Sequence, residues 1–197
     1  MLGIVIPLKS SVTSSCWENT SRSLIATLKS VLNQNEKSYQ VIVVGHERPL
    51  GLDNLNLNID VFYSVSGEFP PPPKINATQE QFTSDKNSKI SKGIELLKQR
   101  YPNINIWFAL DADDLIEENL VRVALKALPY SLFSLDMGYM YYGHANRVIE
   151  TQELTQYCGS TGIIHDDYLC GVPVSSNPLG FGGIGRDWFT GYLHASL

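Results

Sequence analysis

Residues 104–114 read Ile-Asn-Ile-Trp-Phe-Ala-Leu-Asp-Ala-Asp-Asp. The first seven are almost continuously apolar, the pattern of a strand buried on both faces, as in a parallel sheet covered by helices. The run ends abruptly in Asp111-Ala112-Asp113-Asp114. Such a strand delivers its acids to its carboxyl end, where open α/β sheets bind ligands. Carboxylates this close repel one another and are costly to desolvate unless something neutralises them. A divalent cation does so, and an all-oxygen donor set suits Mg²⁺ or Mn²⁺. The competing reading is a solvated acidic turn in which Asp114 caps the next helix.

Upstream, strand and helix patterns alternate. Leu2–Pro7 is a short apolar run, and Leu24, Leu28, Val31 and Leu32 then recur at helical spacing behind Asn19 or Thr20 as cap. Tyr39–Val44 reads as a second buried strand and Ile59–Val65 as a third. Pro70–Pro73 can enter neither a ladder nor a helix interior, so this stretch is an extended connector. A helix is expected over Asp85–Arg100, with Ile90, Ile94 and Leu97 on one face and Lys86, Lys89 and Lys92 away from it; Tyr101-Pro102 stops it. Downstream, Glu117–Leu128 is expected to be helical, with acids in its first turn. From Tyr130 onward, aromatics, glycines and short β-like runs replace the alternation. The expected fold is α/β, a mostly parallel sheet flanked by helices, followed by an irregular mixed segment.

At 197 residues the chain suits one domain, and three scattered cysteines make neither a disulfide framework nor a CxxC metal site. They suit a reducing, cytoplasmic setting. A net charge of −5 argues against a nonspecific nucleic-acid partner. No apolar run reaches the ~20 residues of a membrane helix, although peripheral membrane contact stays open.

Together, Ile4-Val5-Ile6-Pro7, Val41-Ile42-Val43-Val44, the Lys89…Gly93 helix and Phe108-Ala109-Leu110-Asp111-Ala112-Asp113-Asp114 resemble the family 2 glycosyltransferases of GT-A fold over residues 2–128. The resemblance implies a single GT-A domain over 1–197, with a nucleotide-sugar-binding half (1–128) and an acceptor-side half (129–197). It implies a nucleotide-sugar donor, foremost a UDP-sugar, and a saccharide or other hydroxyl acceptor. Pro7, Lys9 and Ser10 would line the base and ribose. Glu47 would stand near the acidic residue that contacts the base, although Gly45-His46-Glu47 departs from the family's usual Asp-Gly-Ser-type end. Lys86 or Lys89 would meet the phosphates. Asp111 and Asp113 match the Asp-x-Asp acids that hold Mn²⁺ or Mg²⁺, with Asp111 also placed to meet ribose. The inverting reaction needs a carboxylate to take the acceptor's proton. Asp187 is the first candidate, with Asp166 and Asp167 as the alternative.

Other motifs carry less. Gly180–Gly185 formally matches GxGxxG, but Pro178 precedes it and no acid follows at the required distance. Cys158–Gly162 lacks the context of a nucleophile elbow around Ser160. His165 beside two acids reads as a surface hydrogen-bonder, and Trp188 suits either core packing or stacking on a sugar. Rival functions are a nucleotidyltransferase, which would carry a glycine-rich loop after the first strand, and a catalytically silent nucleotide- or sugar-binding domain.

Overall fold

The computed structural model describes residues 1–55, 61–127, 132–142 and 146–167. Its strands are β1 (Leu2–Pro7), β2 (Tyr39–Gly45), β3 (Phe62–Ser64), β4 (Ile106–Ala109), β5 (Leu132–Ser134), β6 (Gly138–Tyr142), β7 (Arg147–Thr151) and β8 (Gly162–His165). The helices are α1 (Trp17–Leu32), α2 (Gln79–Arg100) and α3 (Leu120–Lys126). Six strands form one sheet in the order β3-β2-β1-β4-β8-β5, and among the described residues β6 pairs with β7 alone. Strands β1 to β4 run parallel, whereas β8 runs antiparallel to both its neighbours. From β1 the chain winds outward to β2 and β3, then returns to place β4 on the other side of β1. The strand order therefore reverses between β1 and β4, and a crevice opens there at the carboxyl edge.

The apolar runs are explained by two cores, one on each face of the sheet. On one face Leu2, Ile4 and Ile6 of β1 pack with Leu24, Leu28 and Val31 of α1 and with Val121 and Ala124 of α3. On the other, Val5, Val44, Trp107 and Ala109 meet Ile90 and Leu97 of α2. Two glycines permit close approach. A Cβ on Gly3 would lie 2.5 Å from the Trp107 ring, and one on Gly93 would strike Val5, so α2 sits directly on β1.

Several boundaries differ from the sequence expectation. Helix α1 starts at Trp17 with Cys16 at its N-cap position, so Asn19 and Thr20 lie inside its first turn and do not cap it. The Thr20 hydroxyl instead lies 2.7 Å from that of Ser14. Helix α2 starts at Gln79, earlier than Asp85, because Thr78 and Gln81 form a reciprocal capping box. Helix α3 is shorter than expected, and Asn119, not Asp114, stands at its N-cap position. The third strand is confined to Phe62–Ser64, while residues 59 and 60 of the expected run lie outside the described residues. No helix among the described residues is long and apolar enough to cross a membrane.

Candidate functional site at the carboxyl edge of the sheet

Each parallel strand delivers polar residues to the same edge. Pro7 ends β1 in register with Val44 of β2 and is buried. Lys9 is exposed, with its ammonium 5.8 Å from the centre of the Phe82 ring. Ser10 is buried and shapes a turn: its carbonyl accepts from the Thr13 and Ser14 amides, and its hydroxyl accepts from the Val12 amide. Across from it, Glu47 follows β2. One Glu47 oxygen accepts from the Ser10 hydroxyl at 3.0 Å and the other from the Ser11 amide at 3.0 Å. Burial alone would raise the pKa of this carboxyl. The Ser11 and Ser10 donors, with His46 nearby, outweigh it and hold the carboxyl below the ordinary glutamate range.

Helix α2 packs over β1 and β2, and its two candidate lysines behave differently. Lys86 keeps 22% of its side chain exposed and lies 2.6 Å from Asp111 Oδ1. Lys89 is 1% exposed; its Nζ donates to Asp85 Oδ2 at 2.6 Å and to the Leu8 carbonyl at 2.9 Å. Burial lowers the Lys89 pKa, against the pull of Asp85 and Glu47. Asp85 also bonds the buried His46 Nε2 at 2.8 Å, so Asp85 and Lys89 together tie α2 to the ends of β1 and β2. Lys86 is thus the more accessible lysine of the two, beside Asp111. Lys89 is an internal tie whose three-residue offset from Lys86 turns it toward β1.

The Asp111–Asp114 turn is pinned on all sides. The Asp111 amide donates to Ser160 Oγ at 2.7 Å, the Ala112 carbonyl accepts from Thr27 at 3.0 Å, and the Ile116 amide donates to Ser30 Oγ at 3.2 Å. Asp111 is largely buried, Asp113 is exposed, and Asp114 Oδ2 accepts from the Cys158 thiol at 3.2 Å. Burial and the Asp114 charge push that thiol up to about 12. Ser160, which carries no motif, turns out to anchor the turn. Its only sequence signal is its place in a run of small residues.

The alternative acids lie elsewhere. Strand β8 runs antiparallel to β4, with His165 opposite Ile106, so His165, Asp166 and Asp167 stand at the amino edge of the sheet. Asp166 there accepts from the Trp107 indole at 2.7 Å and pairs with Lys98 at 2.7 Å. The structure does not bring Asp166 or Asp167 together with Asp111. Asp187, Trp188 and the Gly180–Gly185 loop lie outside the described residues.

Among the described residues no group of three or more His, Cys, Asp or Glu side chains converges as a metal cluster. The donors at the turn are Asp111 and exposed Asp113, at an open edge and beside a lysine. Mg²⁺ is commonly held by one or two carboxylates with water and substrate phosphates supplying the rest. This donor set therefore fits a cation shared with a diphosphate, not a closed protein site.

The sheet order, its parallel strands and its helical layers define a GT-A-like α/β fold. Among solved structures, the chain is similar to S. aureus TarS 1–349, with a TM-score of 0.50 and 11% identity over 96% of this chain and 53% of that one. It is similar also to S. aureus TarS 1–349 in complex with UDP, with a TM-score of 0.50 and 12% identity over 85% of this chain and 47% of that one. The chain spans about half the length of these neighbours. At such identity the likeness is one of fold. No family model matches the sequence, and no curated protein matches it.

Proposed function

We propose that this chain is a family 2-like, metal-dependent glycosyltransferase that moves a sugar from a nucleotide-diphosphate donor to an acceptor hydroxyl with inversion. The observation that carries the reading is the Lys86–Asp111 pair beside exposed Asp113, on a turn fixed by Ser160, Thr27 and Ser30 at the strand-order reversal. Breaking the sugar–phosphate bond leaves negative charge on the departing diphosphate. Preorganised positive charge at that point stabilises the transition state. Lys86 supplies one such charge. Asp111 and Asp113 would hold Mn²⁺ or Mg²⁺, which when bound supplies a Lewis acid for the phosphate oxygens. Glu47, held by Ser10 and Ser11, offers a fixed acceptor for the N–H or hydroxyl groups of the nucleoside, with Pro7 and Lys9 on the loop that leads to Ser10 as further proposed contacts. The UDP held by one structural neighbour supports a UDP-sugar as donor. Asp187 is the proposed base for the acceptor hydroxyl.

Donor turnover tests this reading. UDP-glucose, UDP-N-acetylglucosamine and GDP-mannose are each incubated with the protein and Mn²⁺, and release of the nucleoside diphosphate is followed. Release from one donor that stops with chelator and in Asp113→Ala is expected. No binding of any donor by the folded protein in Mn²⁺ would overturn it.

A further inference from the structure

Strands β6 and β7 form a hairpin outside the main sheet, and its position is set by its neighbours. Strand β5 ends with Ser134 opposite Gly162, where β8 begins, and Ile163 pairs with Phe108 of β4. The chain therefore leaves the sheet after β5 and re-enters it at β8 on the carboxyl edge, the edge of Asp111. The return segment supplies Ser160 to the Asp111 amide and Cys158 to Asp114. The hairpin's base is fixed: Gly138 packs on Leu154, the Leu154 amide donates to the Asp136 carbonyl at 2.9 Å, and Thr155 Oγ1 donates to Asp136 Oδ1 at 2.8 Å.

The register pairs Tyr139 with Glu150 and Tyr141 with Val148, so these four share one face. That face is open: Tyr139 is 71% exposed, Tyr141 60% and Val148 63%. On the opposite face Met140 and Tyr142 are half-buried, whereas Ile149 is 50% exposed. Rings at i and i+2 of a strand stand about 6.7 Å apart along it. Within residues 136–153, Arg147 is the one cation, against Asp136, Glu150 and Glu153, and it belongs to the other face.

We infer that the Tyr139–Tyr141 face of the hairpin is a docking platform for a neutral saccharide chain, the acceptor of the reaction. This rests on the glycosyltransferase reading above. Tyrosine rings offer an apolar face to the C–H side of a sugar, and their hydroxyls and the Glu150 carboxylate meet sugar hydroxyls. A protein partner would want a broader contiguous apolar patch than two rings and a valine around a carboxylate. A phosphate-bearing polymer would meet Glu150 with no cation on that face among the described residues to offset its charge. The platform also rises from the edge where donor chemistry is proposed.

Affinity electrophoresis through gels containing dextran, laminarin or hydroxyethyl cellulose, with a poly(glycerol phosphate) gel as the anionic comparison, tests the inference. Wild-type protein is compared with Tyr139→Ala/Tyr141→Ala; both side chains are exposed, and circular dichroism checks that the variant folds. Retardation by at least one neutral polymer, weakened about tenfold in the double variant and little in Tyr139→Phe, is the expected result, since each ring contact contributes a few-fold. UDP titration in Mn²⁺ is run on both proteins. Equal UDP affinity with lost polymer binding supports the platform. Three results overturn it while UDP binding persists: no retardation by any neutral polymer, equal retardation of wild type and variant, or preference for the anionic gel. A change of oligomeric state in the double variant overturns it in favour of a second copy. Failure of wild type to bind UDP while polymer binding still depends on the tyrosines breaks the glycosyltransferase reading alone.

Discussion

Helix α2 sends a lysine to an aspartate at each end of β4, and the two pairs have nearly the same length. Lys86 meets Asp111 at 2.6 Å at the carboxyl edge, and Lys98 meets Asp166 at 2.7 Å at the amino edge. Their surroundings differ. At the amino edge, Asp166 accepts from the Trp107 indole with one oxygen and from Lys98 with the other, so the pair locks a buried ring and the arrangement closes on itself. At the carboxyl edge, the pair adjoins Asp113, which is exposed to solvent, and Glu47 stands at the end of β2, held by Ser10 and Ser11. Similar ion pairs thus do different work, and the difference lies in what remains open beside them.

Substitutions can break this comparison. The largest effect is expected from a third lysine, Lys89→Met. It leaves Asp85 buried with only His46 beside it, and loss of one partner of a buried ion pair destabilises by about 3–5 kcal/mol; urea denaturation measures it. Asp166→Ala removes the partner of the buried Trp107 indole, and about 1–3 kcal/mol of stability is expected to go. UDP affinity is expected to stay unchanged, because that edge carries no donor site. Lys98→Met should cost under about 1 kcal/mol, since its ammonium is well exposed to water. A loss as large as that of Lys89→Met would show that the amino-edge pair is not the peripheral tie described.

The smallest effect is a pH dependence at Glu47. Its pKa is depressed by the Ser11 and Ser10 donors despite burial, so it contributes stability above the ordinary glutamate value of ~4.3, lost as pH falls through the depressed one. Glu47→Gln should therefore be less stable than wild type near pH 7, by under about 1 kcal/mol for a partly exposed group. The gap should close on acidification, as thermal unfolding at several pH values would show. A gap that widens in acid would contradict the assignment.

Much of the fold was legible because parallel strands are buried on both faces. β1, β2 and β4 read as nearly continuous apolar runs, and Asp111 was findable because it follows β4 closely. The buried Lys89 was not legible. Its spacing from Ile90, Ile94 and Leu97 matches a solvated face, and the tertiary approach of the Leu8 carbonyl, added to the i,i+4 pair with Asp85, makes burial tolerable. The capping box at Thr78 and Gln81 was present as a pattern, whereas Cys16 at the α1 N-cap position forms no side-chain bond that a pattern would reveal. Asp166 and Asp167 looked like partners of Asp111 from their place after the Asp-x-Asp. The antiparallel course of β8 sends them to the other edge, and strand direction is not written in composition.

The central claim is that the carboxyl edge binds a nucleoside diphosphate while the amino edge only holds the fold. Calorimetric titration of UDP in Mn²⁺ into Asp113→Ala and Asp166→Ala, beside wild type, tests it most directly. The account predicts a loss of about a hundredfold in affinity for Asp113→Ala, on the scale of disrupting a metal–phosphate site, and wild-type affinity for Asp166→Ala. Unchanged binding in Asp113→Ala, or equal losses in two folded variants, would contradict it.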